Sequence, residues 1–453
     1  MRSSLKTLAM DPWALPVFIV CMLGIASPRS MAVLVPVLLL AGVARALTQA
    51  GEGGTPQDNL NRLIAAPGGQ GALALCALGA FALWALLSAF WSSAPSTSAS
   101  KALYLLLMLV CMTGFAYWRE QAAPVVVDRA AQGLLVAFCL ASVLMAIEVR
   151  TNQGLSRGLM TLLPLLQDDP KHLRFDKDGV VVGRTENEIN RRTAVLTFLV
   201  WPVLLVAVRI WWPEKGKAAL AAFGGRTASV FGRLGWLPIA VAMLAAGIAV
   251  MLGGHQSSQT ALLAGIAAFA LAKLWPRAAV LGAAATWTAL VLLIVPLVMT
   301  AHANRMHEAP WLFGSARHRV VIWNHTVERI ALKPLAGIGA DATPAARPWS
   351  PQARKEGGFD VSTGRHAHNA YLQVWYELGS VGALLFLAAG LALVALIGSL
   401  PATILPWALA QAATTAIMAA TSYSIWQVWF QASMAAGVAA LMLAAVAAGR
   451  RAV

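Results

Sequence analysis

Long unbroken apolar runs limit what this chain can become. Residues 372–397 read LQVWYELGSVGALLFLAAGLALVALI, in which Glu377 is the lone charge. A helix needs about 20 mostly apolar residues to cross the hydrocarbon core of a bilayer. Inside lipid every backbone polar group must be satisfied internally, so such a run folds as a helix. Similar runs lie near 13–26, 31–47, 72–91, 102–118, 130–149, 193–212, 236–254, 259–275, 278–300, 403–424 and 427–448. No segment alternates over about ten residues as the strands of a membrane barrel do. Only 12% of the residues are charged, against about 25% in soluble domains. The expected fold is all-α, a polytopic membrane protein with about 12 transmembrane helices. The first run, WALPVFIVCMLGIA, follows the basic leader MRSSLK and lacks a small-x-small cleavage site, so it reads as a first span rather than a removed signal. Cys21, Cys76, Cys111 and Cys139 all fall inside apolar runs without a CxxC or His-spaced partner. They read as packing residues rather than as a disulfide or zinc site.

Charge sets the expected orientation. Of 34 basic residues, 17 fall in two long connections, 150–192 and 301–371. The rest collect on one side of the short connections, except Arg29 and Lys101. The positive-inside rule then puts both termini in the cytoplasm and both long connections outside, in the periplasm of a Gram-negative cell. Long connections are exempt from that rule, so their own 17 cations need another reason. Two readings stand: a solvated face with interspersed carboxylates such as Asp168 and Asp178, or a site for a lipid-linked phosphate or diphosphate that guanidinium groups grip bidentately. A formal charge of +15 does not signal nucleic acid on that side of a membrane. The expected organisation is helices 1–9 within 1–300, a large periplasmic loop over 301–371 between spans 9 and 10, and helices 10–12 within 372–453. No internal repeat and no chain of intramembrane carboxylates is visible, which demotes a transporter.

Within the second loop, 315–333 has the spacing of an amphipathic helix, with Val320, Trp323, Val327, Ile330 and Ala331 on its apolar face. Pro334 stops it, and Gly337 and Gly339 permit a tight turn. The loop re-enters the membrane through HAHNAYLQVWYELGSVG, residues 366–382. On a helix starting near His368, Leu372, Trp375, Gly379 and Gly382 share its face. Gly379 and Gly382 leave room for another helix to approach, and Asn369 serves as a cap. The cluster is either an interfacial cap or a catalytic group. His366 falls off that face and receives no role.

His368-Asn369, nine residues, then Gly379-Ser380-Val381-Gly382 resembles the pattern H-[N/S/Q]-x9-G-x-x-[G/T/Y] of the O-antigen ligase family. Arg319-Val-Val-Ile-Trp323 followed by Pro334-Leu-Ala-Gly337-Ile-Gly339 is similar to that family's other loop signature. The superfamily includes O-antigen and exopolysaccharide polymerases and some protein O-oligosaccharyltransferases. The resemblance implies a metal-independent, inverting glycosyltransferase of the inner membrane that acts at the periplasmic face without a cofactor. Its donor would be an undecaprenyl-diphosphate-linked glycan, its acceptor a hydroxyl of lipid A–core in a ligase or a growing glycan in a polymerase. A lipid-linked glycan transporter or flippase is the more remote alternative. The resemblance implies His368 as general base and Arg319 as partner of the departing diphosphate, with Trp323, Asn369, Gly379 and Gly382 supporting. One departure stands out. Where many members carry the arginine of an R-x3-L motif, this chain reads His255-Gln-Ser-Ser-Gln259-Thr260. Gln259 supplies hydrogen bonds without charge, which leaves Arg191, Arg192 and Arg317 as candidate cations for the donor. No metal-binding carboxylate motif is seen.

Overall fold

A computed structural model of the chain describes residues 13–48, 69–162, 173–175, 177, 181–184, 186–210, 237–346, 355–361 and 365–449. The expected charges at Arg2, Lys6, Arg62, Lys171, Lys215, Lys217, Arg226, Arg233, Arg347, Arg354, Arg450 and Arg451, with Asp168 and Asp178, lie outside these residues. Helices dominate the described residues, and the only strands there are two short antiparallel ribbons, β1 (Leu173–Phe175) with β2 (Val181–Arg184) and β3 (Lys355–Glu356) with β4 (Phe359–Asp360).

Helices occupy all twelve expected positions. Among the described residues seven helices are long and apolar enough to cross a membrane, or eight if one bent pair counts as a single span. Ala14–Ala26 has 13 residues, a rise of about 20 Å against a core of about 30 Å. Large apolar side chains point outward on several helices, including Leu281 at 71% and Leu263 at 60% exposure. Such faces suit lipid rather than water.

The chain divides into two compact units. The first comprises Met1–Ala46, Phe115–Leu263 and Ser433–Val453. It contains α1 (Ala14–Ala26), α2 (Met31–Thr48, running past the unit's edge), α5 (Pro124–Arg150), α6 (Gly154–Leu162), α7 (Glu186–Ile210) and α8 (Leu237–Leu252). α5 packs against α1, α8 and α7. Its small residues allow the close approach: a Cβ on Gly133 would fall 2.4 Å from the Ala14 carbonyl oxygen. α7 is buried around most of its circumference, as a helix apolar on all sides should be.

The second unit, Leu47–Gly114 with Ala264–Ala432, carries the two loop motifs. Its helices are α3 (Gly69–Leu87), the greater part of α4 (Pro95–Gln121) and of α9 (Gln256–Leu274), α10 (Pro276–Leu292), α11 (Ile294–Ala303), α12 (Gly314–Ile330), α13 (Ala370–Gly398) and α14 (Leu405–Thr421); α15 (Val428–Gly449) begins there. α13 packs on α3 and α10 around a core that includes Phe81, Val291, Tyr371, Leu372 and Trp426.

Two expected spans are broken. The ninth bends by 64° between α10 and α11. Pro296 lies in the first turn of α11, where its ring removes an N–H and crowds the preceding carbonyl. The Trp375 indole donates to the Val291 carbonyl beside the bend at 2.7 Å. The tenth, α13, breaks at Gly379, whose φ of 66° and ψ of −167° are non-helical. The amphipathic helix also differs from expectation. It ends at Ile330, and its buried residues are Val320, Val321, Ile322, Thr326 and Ile330, with Ala331 exposed. The stretch beyond Ile330 winds into turns, so Ala331 never joins the helical face.

Candidate active site

α13 begins at Ala370 with Asn369 as its N-cap, and the Asn369 Oδ1 accepts the Leu372 N–H at 3.0 Å. An asparagine there satisfies one of the orphan donors of the first turn. His368 therefore lies before the helix, not on it. Its φ of 53° is left-handed, so the shared helical face expected with Leu372, Trp375, Gly379 and Gly382 does not extend to it. A non-glycine residue in this region costs about 1–3 kcal/mol and persists only where its surroundings hold it.

Those surroundings are identifiable. The His368 Nδ1 lies 2.7 Å from the Ser422 carbonyl oxygen. A carbonyl only accepts, so Nδ1 carries the proton and Nε2 keeps its lone pair. One residue earlier, the Ala367 carbonyl accepts the Trp323 indole N–H at 2.7 Å, which ties the segment leading into α13 to α12. The His366 ring lies 4.1 Å from that of His368. His366 is buried, and its Nε2 has no hydrogen-bond partner among the described residues. Burial, then the neighbouring His368, Arg319 and Arg365, push the His366 imidazole down to about 3. Burial likewise holds His368 below the ordinary histidine range. Arg319 and His318 act the same way, and the bond to Ser422 opposes them.

Arg319 projects from α12 and is half-buried. No carboxylate pairs with it among the described residues. Burial lowers its guanidinium from the ordinary value, with Tyr423 opposing, but arginine stays cationic at any physiological pH. Arg317 turns elsewhere: its guanidinium sits 5.9 Å from the Phe359 ring of β4, on which His318 also stacks at 5.0 Å.

The glycine motif serves a purpose other than the expected helix seam. At the break in α13 the Ser380 N–H donates to the Pro334 carbonyl at 2.8 Å and the Val381 N–H to Leu335 at 3.3 Å. The Gly339 N–H donates to the Glu377 carbonyl at 2.8 Å, and the Trp84 indole to that of Leu378 at 3.0 Å. The loop signature Pro334–Gly339 thus occupies the break, and a Cβ on Gly379 would fall 2.2 Å from the Leu335 oxygen. Gly382 makes room for the Leu378 side chain of its own helix. Glu377, fully buried, accepts from the Asp341 and Thr343 backbone, the Thr343 hydroxyl, the Gln373 amide and the Trp426 indole. That saturation makes it an organiser of the loop rather than a free base.

The remaining expected donor contacts lie in the first unit. Arg191 bonds Glu188, and Arg192 bonds Glu148 at 3.1 Å and the Ser156 hydroxyl at 3.0 Å. The Gln259 amide donates to the Met251 and Val250 carbonyls at 2.9 and 3.3 Å, closing the C-terminus of α8. Each is engaged by its own unit.

Three features escaped the sequence. His366 was set aside on helical phase, although adjacency in HAHN could have kept it in view. Ser422 lies 54 residues beyond His368 and contributes a backbone atom, which no side-chain motif records. His302, His307 and Glu356 offer metal-ligand atoms all within 4.8 Å of one another, from positions too dispersed for a spacing pattern.

Apolar helices that bear a charged, hydrogen-bonded cluster at the head of one of them define a multi-pass membrane protein with a polar site at a helix end. Residues 239–387 match the family model described as O-antigen ligase, a stretch holding Arg319, His368, Gly379 and Gly382. Over that stretch the chain is similar to the O-antigen ligase family, and the match supports that superfamily, whose members are glycosyltransferase-like enzymes. No curated protein matches it.

Proposed function

We propose that this protein is an O-antigen ligase-type glycosyltransferase. It moves a glycan from undecaprenyl diphosphate to a hydroxyl of lipid A–core at the periplasmic face of the inner membrane. The observation that carries this reading is the pairing of a tautomerically fixed, neutral His368 with the uncompensated cation Arg319. With Nδ1 held by Ser422, Nε2 accepts the proton of the acceptor hydroxyl. The hydroxyl oxygen forms its bond to the anomeric carbon while the bond from that carbon to the diphosphate oxygen breaks. The electron pair leaves with undecaprenyl diphosphate, and attack from the opposite side inverts the anomeric centre. A depressed histidine pKa keeps the base unprotonated at neutral pH, and general bases contribute about 10²–10⁴-fold. Arg319 offsets charge that grows on the leaving group, an electrostatic effect of about 10²–10³-fold for one fixed donor. No step in this reading needs a metal ion.

Arg317 supplies a second cation near the donor if it leaves Phe359. Arg191, Arg192 and Gln259 already have protein partners, so the reading rests on Arg319 before them. A polymerase would use the same donor and the same loop motifs. The test is a deletion strain whose lipopolysaccharide is resolved on a gel. Loss of a ligase leaves core without O-units while polymer accumulates on the carrier lipid. Core bearing a single unit would instead identify a polymerase, and an unchanged ladder would contradict both.

A further inference from the structure

We propose that His302, His307 and Glu356 bind a zinc ion that clips the β3–β4 hairpin to the end of α11. This goes beyond the proposed glycosyl transfer and does not depend on it.

Three separate elements bring the ligand atoms together. His302 lies in the last turn of α11, His307 in the 3₁₀ turn Met306–Glu308, and Glu356 belongs to β3. The two imidazoles stack at 4.7 Å with an interplanar angle of 15°, which points both Nε2 atoms at the same carboxylate. Glu356 Oε1 lies 2.6 Å from His302 Nε2 and 3.6 Å from His307 Nε2. The cluster offers two nitrogens and one carboxylate oxygen; Glu308, 3.5 Å from His307 Nε2, pairs with Arg305 at 2.6 Å. Zinc bonds of about 2.0–2.2 Å in a tetrahedron hold neighbouring ligand atoms about 3.3–3.6 Å apart. The His307–Glu356 separation already fits, and the His302–Glu356 separation needs to open by less than about 1 Å. His307 is buried, which limits competition from water. Gly357 makes the approach possible, since a Cβ there would sit 3.2 Å from His307 Cδ2. Two imidazoles with a carboxylate suit zinc better than the all-oxygen shells of calcium or magnesium.

The position gives the ion a purpose. Phe359 of the clipped hairpin stacks on His318 and Arg317, which immediately precede Arg319 on α12. Fixing the hairpin fixes the flank of the candidate active site.

The experiment uses full-length protein in detergent, purified without a polyhistidine tag, loaded with zinc chloride and washed free of unbound ion. Elemental analysis should find about one zinc per chain. Cobalt loading should give the intense visible bands of a four-coordinate site. His302→Ala and Glu356→Gln should each lose the ion while eluting as the wild type does. His325→Ala, which alters a His–Glu pair elsewhere in the loop, should keep it. Should His302→Ala fail to fold, Glu356→Gln, matched in shape and able to hydrogen-bond His302, decides alone. Wild type retaining less than about 0.1 zinc per chain, or Glu356→Gln retaining the full complement, would overturn the proposal.

Discussion

In the proposed mechanism His368 owes its chemistry to a neighbour that orients it and to surroundings that keep it neutral. Ser422 fixes the tautomer through a backbone carbonyl, and burial first, then Arg319, disfavours a positive charge on the ring. Replacing Arg319→Gln should lower the turnover rate by about 10²–10³-fold through loss of the leaving-group cation. It should also raise the His368 pKa, so the acid limb of the rate profile moves to higher pH. A pH–rate profile of the purified variant checks both, and an unmoved limb would remove Arg319 from the neighbourhood of the base. His366 predicts a stability effect of definite sign. Its folded value near 3 lies below the ordinary 6.5, so the unfolded chain takes up the proton first as pH falls. The stabilisation is complete above about pH 6.5 and is lost progressively toward pH 3. Melting temperature should fall across that window, and less steeply in His366→Phe. At this scale the proposed roles of His368 and Arg319 come from motif spacing in the sequence. The sequence hid His366, because helical phase was applied to a residue that precedes the helix.

Broken helices are what bring the site together at the level of elements. Helix breaks at membrane depth survive where neighbouring groups satisfy the freed backbone. Here Trp84, Trp375 and the Pro334–Gly339 turn do so. Gly379→Ala would place a methyl 2.2 Å from the Leu335 oxygen at a backbone φ that alanine avoids. It should therefore lower the thermal midpoint measurably and reduce transfer together with it. Trp323→Phe keeps an apolar ring but loses the N–H that holds the Ala367 carbonyl. A net cost of about 0.5–1.5 kcal/mol follows for one hydrogen bond. Activity should drop more than that stability loss implies, because His368 follows Ala367 directly. Unbroken apolar runs revealed most of the helices among the described residues. The bends at Leu293 and Gly379 stayed hidden, since proline and glycine in an apolar run are also tolerated in straight spans. The spacing of the glycines suggests a seam for a helix, whereas a loop fills the space at Gly379 and the helix's own Leu378 fills it at Gly382.

Orientation and acceptor are properties of the whole molecule. The proposed topology puts the loop bearing α12 in the periplasm and the α9–α10 turn in the cytoplasm. In a background lacking the four native cysteines, Glu328→Cys should react with an impermeant maleimide on intact spheroplasts. Lys273→Cys should react only after permeabilisation, and the reverse pattern would invert the topology. Charge asymmetry made this expectation possible from sequence, but length did not settle the span count, because α1, α8 and α14 are short for a membrane. The central question is whether His368 performs chemistry or only ties the approach to α13 to the Ser422 carbonyl. The decisive measurement compares purified wild type with His368→Ala, scoring both glycan transfer to lipid A–core and binding of the lipid-linked donor. Transfer should fall by at least about 10²-fold with donor affinity and thermal midpoint close to wild type. Transfer within a few-fold of wild type would contradict the assignment of His368 as the base.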